Sequence, residues 1–238
     1  MQTDNPAGVT PASSPSPAPS AAAGQPSGFG FRAAWAVFIV AIVGVLAAAI
    51  VQTTRGPGDK WPEPGVYGNV PDFSLTAQDG SPVSRASLAG RPWVVDFIFT
   101  RCGGQCPTMT QHMKALQTWL EQRQLDSVRL VSVTVDPAYD TPAVFTEYAK
   151  RFGADSRRWL FLSGEKSVIY PLIQEGFYLG VEDEPAPGEA PPEEPIIHSS
   201  RFVLVDAQSR IRGYYDVYEP DDLERLRADI LHVTAEKP

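Results

Sequence analysis

Cys102 and Cys106 are the only cysteines in this 238-residue chain, and they stand three residues apart in Cys102-Gly-Gly-Gln-Cys106-Pro107. That gap is one residue wider than in the dithiol redox motif. The wider loop leaves room for a metal between the sulfurs. Two soft thiolates suit Cu(I), and an added imidazole admits Cu(II) as well. The histidines are His112, His198 and His232, and His198 lies where such a third ligand could come from. The same pair could instead exchange disulfides, one sulfur attacking and the other resolving. Either chemistry needs a thiolate. Arg101 adjoins Cys102, and Cys106 opens a helix whose N–H groups favour an anion, so both cysteines are expected to be activated. With no further cysteine to bridge, a Cys102–Cys106 disulfide would serve chemistry rather than hold the fold.

Other residues compete for attention. Asp96 interrupts an apolar run and reads either as a proton acceptor near the thiols or as a structural carboxylate. Asp136 and Asp140 read as caps, Asp-Pro ending a strand and Asp-Thr-Pro beginning a helix. Met109 and Met113 could supply thioethers, but their helical spacing reads as core. His112 and His232 read as surface residues.

The elements that must position the thiols follow from periodicity. Residues 93–100, Trp-Val-Val-Asp-Phe-Ile-Phe-Thr, are apolar on both faces except at Asp96, as in a central covered strand. Pro107 suits a helix's first turn, and Met109, Met113, Leu116 and Leu120 mark its apolar face. Strands are expected at 128–135, 159–162, 201–205 and 211–217. Helices are expected from Asp140-Thr141-Pro142 to Phe152, at 167–175 and at 221–231. Residues 71–83 read as a hairpin turning at Asp79-Gly80. The order βαβα followed by ββα is an α/β, thioredoxin-like plan with an N-terminal β-hairpin: one sheet, helices on both faces.

Ahead of this domain lie two segments of different character. Residues 1–32 are rich in Pro, Ala and Ser, with Asp4 the one acidic residue, and read as a disordered tail. Residues 33–51 then run 19 positions without a charge, enough helix to cross a bilayer of about 30 Å. The segment 33–54 is expected to be a single transmembrane helix rather than a cleaved signal, since signal peptides have a shorter apolar core. Residues 55–70 read as a linker to a domain at 71–238. The net charge of −8 argues against nucleic acid as a partner. Much of that acid sits in a Pro-rich stretch, 182–195, read as a solvated loop.

Phe97-Ile-Phe-Thr-Arg-Cys102-Gly-Gly-Gln-Cys106-Pro107 resembles the phenylalanine-rich strand and CxxxCP loop of the Sco/SenC family. Ser132-Val-Thr-Val-Asp136-Pro-Ala-Tyr-Asp140-Thr-Pro142 resembles that family's SVDPxxDTP block, and Leu160-Phe-Leu-Ser-Gly164 its L-x-G segment. His198, just before Phe202-Val-Leu-Val-Asp206, sits where the family places its copper-binding histidine. The chain differs in carrying Gly103-Gly104 where the family usually has Pro-Asp, and Ile197 where it often has Asp. The resemblance implies copper held by Cys102, Cys106 and His198, as Cu(I) or Cu(II). It implies a membrane-tethered chaperone serving the binuclear copper site of cytochrome c oxidase subunit II. The alternative is a thiol–disulfide oxidoreductase that keeps the cysteines of that site, or of another extracytoplasmic protein, reduced. Either would sit on the cytoplasmic membrane with its domain on the periplasmic side.

Overall fold

The computed structural model describes residues 28–54, 61–180 and 199–236, with side chains placed in the first span only at 34–47 and 49. It divides into two units, Met1–Thr54 and Arg55–Pro238. In the first, helix α1 (Gly28–Thr54) covers the uncharged run, and its described apolar side chains are exposed all round. Among the described residues no helix is long and apolar enough to cross a membrane, the described side chains stopping short of the whole run 33–51.

The second unit is built on one eight-stranded sheet. Its strands are β1 (Gly68–Asn69), β2 (Ser74–Ala77), β3 (Pro82–Ser84), β4 (Trp93–Ile98), β5 (Arg129–Thr134), β6 (Trp159–Ser163), β7 (Arg201–Val205) and β8 (Arg210–Asp216). They lie in the order β1-β8-β7-β4-β5-β6-β2-β3. β4, β5 and β6 are parallel, so each step needs a crossover helix. Helices α3 (Gln105–Gln122) and α4 (Pro142–Phe152) supply them. Helix α2 (Arg85–Leu88) follows the hairpin, α5 (Lys166–Pro171) follows β6, and α6 (Pro220–Ala235) closes the chain.

Local chemistry explains most boundaries. The β2–β3 hairpin turns at Asp79-Gly80: Gly80 takes φ +84°, and Asp79 accepts from the Ser81 N–H at 2.9 Å. Thr141 caps α4 by accepting the Val144 N–H, and Gly153 ends it in the left-handed conformation. The expected helix at 167–175 is instead α5 followed by a π-helical turn at Leu172–Gly176. Pro171 brings no N–H to this join, and the Phe177 N–H reaches back five residues to the Leu172 carbonyl. Inside the expected linker, Gly68–Asn69 already pairs with β8, and buried Arg212 donates to the carbonyls of Pro64 and Gly65.

Both faces of the sheet are covered. One side packs Met109, Met113, Phe145, Phe161 and Leu226 against Val94 and Ile98; the other packs Ile169, Ile173 and Phe177 against Val95, Phe97 and Val133. Burying a side chain of this size contributes roughly 1.5–3 kcal/mol. β4 is therefore the central strand, buried at all six positions.

Candidate metal and thiol centre

The thiol loop leaves the carboxyl end of β4. The Cys102 N–H turns back to the Phe99 carbonyl at 3.2 Å, and after Gly103-Gly104 the chain enters α3 at Gln105. Both cysteines are free thiols, close enough for a mutual hydrogen bond. They differ in access. Cys102 is half-buried, whereas Cys106 is 2% exposed and packed among the residues of the α3 face. An accessible sulfur over a buried one can pass a bound ion or a disulfide outward through the first.

The expected activation of Cys106 needs correcting. Burial pushes the Cys106 thiol far above its ordinary range, reinforced by Cys102 and by the charge of Asp96, and the helix start does not offset this. Arg101 is also diverted. Its guanidinium pairs with Asp136 and lies 4.4 Å over the Tyr139 ring, so its charge is already shared.

Beneath the loop, Thr110 donates to the Cys106 carbonyl and lies 2.8 Å from the Tyr148 hydroxyl. Asp96 is fully buried, and neither of its oxygens has a described hydrogen-bond partner of ordinary length. Desolvation lifts its carboxyl to about 7. Ser132, opposite it in β5 and already accepting the Trp159 indole N–H at 3.0 Å, offsets only part of that rise.

Asp136 and Asp140 are not the caps expected of them. Thr141 occupies the cap of α4, and both carboxylates reach instead to the residues before Cys102. Asp136 takes Arg101. Asp140, wholly buried, accepts from the Thr100 N–H at 3.2 Å, the Thr100 hydroxyl at 2.5 Å and the Thr134 hydroxyl at 2.6 Å. Sequence reasoning missed Thr100 and Thr134. Their partner stands 40 and 6 residues away, and only the Thr-Arg-Cys order and the repeated aspartates hint at the contact.

His198 lies outside the described residues. The neighbouring chain is placed by register. β7 runs antiparallel to β4 with Val95 opposite Val203, so Ser199 and Ser200 enter the sheet at the end of β4 that carries the thiols. His112 is half-buried on α3, and the His232 imidazole sits 3.8 Å from Asp229 on α6. Met109 and Met113 are fully buried core. Among the described residues no group of three or more His, Cys, Asp or Glu side chains could hold a metal. The described part of the centre is thus a dithiol, whose soft donors fit Cu(I). Beside it opens a cleft of ≈ 410 Å³ lined by Arg101, Asp136, Gly164, Lys166 and Tyr170, at the carboxyl ends of β4, β5 and β6. Open α/β sheets bind their ligands at that end.

Comparison with known proteins agrees with this geometry. The SCO1/SenC family model matches residues 65–235. The SCO1 protein homolog of Bacillus subtilis is 33% identical over 162 residues, spanning 68% of this chain and 80% of its own. A relative in Stutzerimonas stutzeri named for copper binding is 29% identical over 163 residues, spanning 68% and 76%. The solved structure of BsSco, described as a Sco-family cytochrome c oxidase assembly protein with a disulfide switch, is 30% identical. It superposes with a TM-score of 0.62 over 75% of this chain and 99% of that one. With its thioredoxin-like sheet and CxxxCP loop, the chain belongs to the SCO1/SenC family.

Proposed function

We propose that this protein is a membrane-anchored copper chaperone that binds one copper through Cys102, Cys106 and His198. It passes the ion by ligand exchange to the binuclear copper site of cytochrome c oxidase subunit II. The observation that carries the reading is the dithiol itself: two adjacent reduced sulfurs, one accessible and one buried, at the ligand-binding end of the sheet. The entry of β7 at that same end supports His198 as the third ligand. The relatives' copper binding and oxidase assembly support the cargo and the acceptor. α1 serves as the anchor, with its uncharged run 33–51 in the bilayer and the sheet domain on the periplasmic side. The tether confines delivery to the membrane surface. Copper displaces a proton from each thiol it binds, so loading releases protons.

A second reading is favoured by one observation, the unequal burial of the pair. In a thiol–disulfide oxidoreductase the accessible Cys102 attacks and the buried Cys106 resolves. Copper loading of the detergent-solubilised full chain decides between the two. The chaperone reading expects intense thiolate-to-Cu(II) absorption in wild type, lost in His198→Ala and kept in His112→Ala. It also expects a Cys102–Cys106 bridge after oxidation, visible by mass spectrometry, that abolishes copper uptake. Wild-type Cu(II) binding by His198→Ala, together with efficient reduction of disulfide substrates, would replace the chaperone with the oxidoreductase.

A further inference from the structure

We propose that Asp140 is the positioning residue of the dithiol: through Thr100 it holds the start of the thiol loop so that Cys102 stays over Cys106. The inference rests on reading Cys102 and Cys106 as the working site, whichever chemistry they perform. Asp140 is wholly buried. Its described hydrogen-bond donors are the Thr100 N–H, the Thr100 hydroxyl and the Thr134 hydroxyl. Thr134 ends β5, and Thr100 lies two residues past the end of its parallel neighbour β4. A buried carboxylate is costly unless it is fully bonded. Here the bonding is directed at one place: Thr100 lies two residues before Cys102. The helix cap, the usual task for an aspartate at this position, is already filled by Thr141.

What the latch restrains is the loop's freedom to swing. Beyond Thr100, the Cys102 N–H bond to Phe99 and the Arg101–Asp136 pair continue the turn; Gly103 then has open space around it, and Gly104 lies next to the Cys102 sulfur. A loop with two successive glycines, one of them in open space, would otherwise sample many positions for Cys102. Anchoring its first residue keeps the two sulfurs adjacent before any bond forms, which raises the effective concentration of one for the other. The outer Arg101–Asp136 pair does less, because Arg101 is 55% exposed and its ion pair is weakened by solvent.

The test is the dithiol–disulfide equilibrium of the full chain against glutathione disulfide. Two thiols lose two protons and two electrons to form the internal disulfide, and glutathione disulfide leaves as two thiols. A purely structural residue would destabilise the reduced and oxidised forms alike and leave this constant in place. As a positioning residue, Asp140 should move it. Asp140→Ala is expected to lower the constant for internal disulfide formation about tenfold, a shift of about 30 mV towards easier reduction. Thr100→Val, which keeps the N–H and loses the hydroxyl, is expected to lower it about threefold. Thr100→Ser, which keeps both donors, should restore the wild-type constant. Asp136→Asn should stay within twofold. If Asp140→Ala does not fold, the Thr100 pair carries the test alone. A Thr100→Val constant within experimental error of wild type, in a natively folded chain, overturns the proposal. The equilibrium involves no copper, so wild-type protein that takes up no copper would sink the chaperone reading and leave this result standing.

Discussion

Two buried carboxylates, one in β4 and one just past the end of its neighbour β7, are treated in opposite ways. Asp206, 1% exposed at the β7–β8 turn, is fully engaged. It accepts the N–H groups of Gln208 and Arg210 at 3.0 and 2.9 Å, the Arg210 side chain at 2.7 Å and the buried Arg212 at 3.1 Å. Asp96, in the middle of β4 under the thiol loop, has no described partner of ordinary length and is lifted to about 7. The first is what a fold does with a buried charge that only has to be stable. The second leaves desolvation only partly offset, and it does so where a thiol must lose a proton. Unsatisfied groups that persist in a well-packed core mark places where packing has been traded for chemistry.

The largest effect expected from that contrast is at Asp206. Asp206→Ala strips Arg210 of a partner and leaves buried Arg212 with Glu236 as its one described carboxylate, beside the carbonyls of Pro64 and Gly65. The expected loss is about 3 kcal/mol, read as a lower urea midpoint, with the alkylation rates of the two thiols unchanged. Asp96→Asn should do the reverse. The folded carboxyl titrates near 7, well above its unfolded value of 3.8. Between those values the folded state holds a proton that the unfolded state has released, so the group's contribution to stability falls as pH rises from about 4 to 7. Above 7 the full penalty stands. Asp96→Asn should therefore be more stable than wild type at pH 8, by on the order of 2 kcal/mol, with the gap closing by pH 4. A variant less stable than wild type at pH 8 would show that the charged carboxylate has a partner after all, and the contrast with Asp206 would dissolve. A change in Cys106 alkylation in this variant, and none in Asp206→Ala, would tie the unsatisfied carboxylate to the thiols.

How much of this was written in the sequence differs between scaffold and site. β4, α3, β5 and α4 are legible because their signals are local: an unbroken apolar run, methionines and leucines at helical spacing, Thr141 before Pro142, glycine at 153. The α/β plan follows from their order. The two thiols are legible for the same reason, being neighbours in the chain. What escaped depends on contacts between distant residues. That Arg101 answers to Asp136, 35 positions on, rather than to Cys102 beside it, has no local signature. Nor does the burial of Cys106, which is decided by the core that forms around α3. The aspartates of Asp136-Pro-Ala-Tyr-Asp140-Thr141 read as caps because capping is their commonest local use, and tertiary contact redirects them. The edge strand Gly68–Asn69 is two residues long and carries no alternation to read.

Asp229 on α6 lies between the extremes and grades the comparison. One oxygen accepts the Tyr215 hydroxyl at 2.6 Å, and the other is unpaired among the described residues, with His232 at 3.8 Å. Burial raises its carboxyl, and the Tyr215 bond pulls it back down. Tyr215→Phe removes that donor without changing the packed ring, and should cost about 1–2 kcal/mol at pH 8. The sign of its pH dependence is fixed. Losing the donor raises the folded carboxyl further above its unfolded value, so the cost is smallest in acid and grows as pH rises. Paired urea titrations of wild type and Tyr215→Phe at pH 5 and pH 8 read both quantities.

The smallest effect belongs to the exposed end of the series. Asp136 is 12% exposed but its partner Arg101 is 55% exposed, so water already solvates much of the pair. Asp136→Asn keeps the side chain's shape and one acceptor for the guanidinium. The Thr134 hydroxyl contact to the Asp136 backbone N–H and the turn bonds from Tyr139 and Asp140 do not involve the carboxylate, so the loop's path is unchanged. The expected loss of stability is at most about 0.5 kcal/mol, and it should shrink as salt is raised. A loss several times larger, insensitive to salt, would mean that the loop before Cys102 depends on its outer ion pair as much as on the buried Asp140 contacts. The ranking of buried over exposed carboxylates would then fail at the very loop that carries the thiols.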